Sequence, residues 1–89
     1  VLRRLRQQID AIDDELLGLL NKRARIALEI AHKKQQQALP VLDATREAQV
    51  IRRLGELNEG PLTAEAVARI YHAVIREMCA LEQQHLRAA

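Results

Sequence analysis

The sequence predicts an all-α fold of three helices, one long, one short and one of intermediate length, joined as an intertwined homodimer. Three observations predict the helices. Apolar residues recur alternately three and four positions apart, the periodicity of a helix with one apolar seam. The apolar residues are Leu, Ile, Val and Ala, with Tyr71 the single aromatic side chain. The only two prolines, Pro40 and Pro61, stand at what read as junctions.

The first helix begins at Leu2 and carries Leu2, Leu5, Ile9, Ile12, Leu16 and Leu19 along its seam. Nothing up to about Ala38 breaks it except Gly18, which a helix tolerates, so it runs for roughly 35 residues and about 50 Å. Pro40 ends it, because the residue before a proline is pushed out of the α region. Asp43 is suited to cap a second helix that reaches about Leu57. Asn58 to Pro61 make a turn, and Thr63 caps a third helix that extends to about Leu86. Its seam is Val67, Tyr71, Val74, Met78 and Leu81.

The dimer follows from lengths. A compact chain of 89 residues has a radius of gyration of only ~12 Å and buries ~60 to 65% of its unfolded surface. A helix of about 50 Å overruns such a body. The long helices are therefore expected to pair across a two-fold axis.

Composition excludes several classes. The net charge of +2 is spread along the chain, and Tyr71 alone offers no series of platforms for single-stranded nucleic acid. Arg3, Arg4 and Arg6 cluster at the N-terminus, as in a major-groove reader or a solvated basic helix end. No apolar run approaches the ~20 residues of a membrane span, and no signal peptide is evident. Cys79 is the only cysteine, which rules out an internal disulfide and suits the cytoplasm. No His or Cys cluster has metal-ligand spacing, so His32, His72 and His85 are assigned no chemistry. Val1 is not an initiating residue, as in a trimmed chain or one domain of a longer protein.

The informative residues are charges on or beside the seams. After Leu19 the next seam position is Arg23, and the stripe resumes at Ile26 and Ile30. A buried guanidinium needs an anion, supplied either by a side chain such as Asp13 or Glu77 or by a ligand. Lys34, about three turns further on, points in a similar direction. Arg6 lies roughly 25 Å before Arg23 along the helix, so it reaches such a site only in a partner chain. Asp43, Arg46 and Glu47 share the first turn of the second helix. Cys79 and Gln83, four residues apart, share a face of the third.

Apart from Lys34, these charged and polar residues fall within three motifs. Leu5-Arg6-Gln7-Gln8-Ile9-Asp10-Ala11-Ile12-Asp13 continues into Leu19-Leu20-Asn21-Lys22-Arg23; Pro40-Val41-Leu42-Asp43-Ala44-Thr45-Arg46-Glu47 opens the second helix; Ile70 to Gln83 forms the third. Together they resemble the all-helical, type II chorismate mutases, found alone or fused to prephenate dehydratase. The resemblance covers nearly the whole chain.

It implies an isomerase in aromatic amino acid biosynthesis that converts the dianion chorismate to prephenate by a Claisen rearrangement. Such a reaction needs no cofactor, metal, nucleic acid or membrane. It needs a cage for the reactive chair and donors for the charge gathering on the ether oxygen. By resemblance, Arg23 and the partner's Arg6 bind carboxylates with the guanidinium fork. Lys34 reaches a carboxylate and the ether oxygen, which Gln83 approaches from the other side. Glu47 accepts the ring hydroxyl with the Asp43 backbone assisting, and Arg46 and Cys79 border the ring carboxylate. The family usually has serine where Cys79 stands, and a thiol is the weaker donor. An isochorismate-pyruvate lyase on the same scaffold and a non-catalytic helical dimerisation or regulatory module are the rival readings.

Overall fold

The computed structural model describes residues 1–88 and consists of three helices, α1 (Leu2–Gln36), α2 (Ala44–Leu57) and α3 (Ala64–Ala88). No strand occurs among the described residues. α3 lies against both other helices and holds them together. On α1 it packs over Ala27 and Ala31, two small residues one turn apart that permit a close approach. Val50 of α2 and Val67 and Met78 of α3 complete the buried apolar set.

Helix ends follow the local chemistry. Asp43 Oδ1 accepts from the Arg46 amide at 3.0 Å, and Thr63 Oγ1 accepts from the Ala66 amide at 3.0 Å, so α2 and α3 each start with a side-chain cap. Gly60 turns the chain between α2 and α3 at φ 82°, a conformation that glycine adopts without a Cβ clash.

α1 ends at Gln36 rather than near Ala38 because the chain closes there in a Schellman arrangement. The Leu39 amide donates to Lys34 O at 2.8 Å and the Ala38 amide to Gln35 O at 3.2 Å. This closure puts Ala38 in the left-handed region at φ 56°, where glycine usually stands. Ala38→Gly is therefore expected to stabilise the fold by about 1 kcal/mol. Urea unfolding that gives an unchanged or lower midpoint would refute this.

The seam expected to be buried on α1 is not covered within the chain. Every residue from Val1 to Leu19 is exposed, including Leu2 at 59% and Ile12 at 58%. The reason is reach: α3 covers only the C-terminal half of α1, on the face of Ala27 and Ala31. The chain extends 53 × 27 × 14 Å with a radius of gyration of 15.8 Å, well beyond the ~12 Å of a compact body of this length.

Candidate active site

Between the C-terminal half of α1, the first turns of α2, and α3, the three helices line a cavity of about 390 Å³. α1 lines it with Arg23, Ile26, Ala27, Ile30 and Lys34, a set recurring every three or four residues. Val41 and Asp43 contribute from the connection, Arg46, Glu47 and Val50 from α2, and Ile75, Met78, Cys79 and Glu82 from α3. Apolar walls thus surround three cations and two buried carboxylates.

Six of the eight residues selected from sequence come together here: Arg23, Lys34, Asp43, Arg46, Glu47 and Cys79. Arg23 is half-buried rather than buried, and no ion pair involves it among the described residues. Asp13 and Glu77, its conceivable partners, are exposed. Lys34 Nζ donates to Val41 O at 2.7 Å, which fixes the lysine at the cavity and pins the loop before α2. Asp43 spends its side chain as the α2 cap. Arg6 does not line the cavity and stands on the exposed N-terminal half of α1.

Gln83, expected at the site from sequence, is exposed in the single chain and does not line the cavity. The carboxylate Glu82, only 6% exposed, takes that place. The cause is helical phase. Ile75, Met78 and Glu82 define the inward stripe of α3, with Cys79 at its edge. Four residues beyond an edge position lies further off the stripe, about 100° round from Glu82. A signal was present in the sequence, since Glu82 interrupts that stripe four residues after Met78, much as Arg23 interrupts α1.

The electrostatics distinguish the two carboxylates. Burial pushes the Glu82 carboxyl above its ordinary value, against the pull of Lys34 and Arg23. Its Oε2 is buried and has no hydrogen-bond partner among the described residues. Glu47, 8% exposed, is instead held from α3: His72 Nδ1 lies 2.7 Å from Oε1 and Arg76 Nη2 3.6 Å from Oε2. His72, assigned nothing from sequence, therefore touches a cavity residue. Burial also raises the Cys79 thiol, with Glu82 adding to the rise, which keeps it a protonated and weak donor.

The described residues contain no cluster of His, Cys, Asp and Glu able to hold a metal ion, and no helix among them is long and apolar enough to cross a membrane. What the cavity offers is a fixed set of donors and acceptors around an apolar enclosure, without a nucleophile paired to a base. That arrangement can bind a small anion, constrain its shape and stabilise displaced charge.

Comparison with known proteins agrees with this geometry. The chain is 39% identical over 87 residues to the bifunctional chorismate mutase/prephenate dehydratase of Pseudomonas aeruginosa, covering 92% of this chain and 24% of that protein. It is 45% identical over 78 residues to the bifunctional enzyme of Neisseria gonorrhoeae, covering 88% of this chain and 21% of that protein. It thus spans about a quarter of the length of these relatives. The chorismate mutase of Helicobacter pylori, solved in complex with prephenate, superposes with a TM-score of 0.92 at 34% identity, over 99% of this chain and 96% of that one. A chorismate mutase of Thermus thermophilus gives 0.90 at 28% identity, over 92% and 93% of the two chains. The family profile of type II chorismate mutases matches residues 5–83. With a profile match over most of its length and this helical cavity, the chain belongs to the type II chorismate mutase family.

Proposed function

We propose that the chain is a chorismate mutase acting as a homodimer in the cytoplasm. The observation that carries this reading is the convergence of Arg23, Lys34, Arg46, Glu47 and Glu82 on one cavity from all three helices. The rearrangement breaks an ether C–O bond and forms a C–C bond within one molecule. The protein's task is then to bind a dianion in its reactive chair and to meet charge on the ether oxygen.

In this reading Arg23 and Arg46 take the two carboxylates, with the partner's Arg6 joining Arg23. Lys34 reaches the ether oxygen from α1 and Glu82 reaches it from α3. Only protonated Glu82 can donate there. Its raised carboxyl value favours that form, and a bound dianion nearby favours it further. Glu47 accepts the ring hydroxyl. The exposed stripe of α1 from Leu2 to Leu19 supports the dimer, because it is the apolar face that a second long helix would cover. Fusion to a prephenate dehydratase, as in the bacterial relatives, suits a domain of this size.

The acid requirement is testable. Turnover by the native chain should fall as pH rises, because Glu82 loses the proton it must share. Glu82→Gln supplies a donor without a titrating proton and should flatten the profile between about pH 5 and 9. Profiles of the same slope in both proteins would remove Glu82 from the role. The site itself is tested by calorimetric titration with a bicyclic dicarboxylate that mimics the transition state. One equivalent per cavity is expected, and no binding by a folded dimer would contradict the reading.

A further inference from the structure

Glu47 stands in the first turn of α2, where the helix dipole favours an anion, yet its carboxylate is oriented by another helix. His72 and Arg76, one turn apart on α3, bracket it. The two contacts differ in kind. His72 Nδ1 is at hydrogen-bond distance from Oε1, 2.7 Å. Arg76, at 3.6 Å, balances charge while Oε2 keeps no hydrogen-bond partner among the described residues. A carboxylate oxygen only accepts, so the shared proton lies on Nδ1, an arrangement open to neutral and protonated imidazole alike. The His72 side chain is itself 55% exposed, so little packing is lost when it is replaced.

We propose that His72 is a positioning residue: its Nδ1–H fixes one oxygen of Glu47 so that the carboxylate presents its remaining acceptor capacity to the hydroxyl of the substrate. This rests on the mutase reading above, in which Glu47 meets a group remote from the reacting bond. An interaction at such a group is made equally in the ground state and the transition state, so losing its geometry raises KM and leaves kcat nearly alone. His72 never touches the substrate and acts only through Glu47.

The test is steady-state kinetics on chorismate with five proteins: native, His72→Ala, His72→Asn, Glu47→Gln, and the double variant His72→Ala with Glu47→Gln. His72→Ala should raise KM by about five- to tenfold with kcat within about twofold. His72→Asn places an amide N–H near the position of Nδ1 and should restore most of the KM. In the Glu47→Gln background the alanine change should have little further effect, since the two residues form one unit. Absence of turnover by the folded native dimer would overturn the mutase reading and this proposal with it. Normal native turnover with an unchanged KM in His72→Ala would overturn the proposal alone. So would equal losses in kcat and KM that asparagine does not rescue, the pattern of a merely structural contact.

Discussion

Ile12→Asp is expected to abolish both dimer and turnover. Ile12 is 58% exposed on the free face of α1, and among the described residues the buried apolar ones are only Ala27, Ala31, Val50, Val67 and Met78. No large side chain among the described residues is fully buried. A domain this small and this thinly cored is marginal by itself, and in the proposed dimer the stripe around Ile12 supplies much of the missing core. In a two-fold assembly the substitution introduces two carboxylates into an apolar seam, each without a partner and each costing several kcal/mol. Sedimentation and far-ultraviolet circular dichroism at micromolar protein should therefore find no dimer and reduced helix. A folded monomer with native turnover would contradict the assembly.

Lys34→Ala is expected to lower kcat by ~10²- to 10³-fold, the typical cost of deleting one donor to developing negative charge. The dimer should survive, because Lys34 is only half-buried and its fold contact is one hydrogen bond to Val41 O. A second consequence follows for Glu82. Lys34 is the foremost cation drawing that carboxyl down, so its removal moves Glu82 further up and extends the acid form to higher pH. The variant should be slow but less steeply dependent on pH over the neutral range. Near-native kcat in a well-folded variant would remove Lys34 from the mechanism.

What could be read from the sequence was what depends on local chemistry and period. Pro40, Asp43 and Thr63 marked the helix junctions because each acts on its own neighbours. Arg23 and Lys34 stood out because charge on an apolar stripe violates a pattern with a known cause. The end of α1 was harder to place, since Ala38 adopts a left-handed conformation that its residue type does not advertise. The register of α3 was also harder. Choosing Gln83 over Glu82 required knowing which arc of the helix faces α1, and that depends on packing over Ala27 and Ala31 rather than on α3 alone. His72 was invisible for a related reason, as its partner Glu47 lies on another helix 25 residues away. The long stripe of α1 was legible as apolar, but whether a neighbour in the same chain or a second chain covers it is decided by where α3 ends.

The reaction itself is measured by the loss of chorismate absorbance with the purified protein, followed by acid treatment of the product. Catalytic consumption of chorismate is expected, with recovery of phenylpyruvate, into which acid converts prephenate. A folded dimer that leaves chorismate untouched, or that instead releases pyruvate from isochorismate, would contradict the mutase reading.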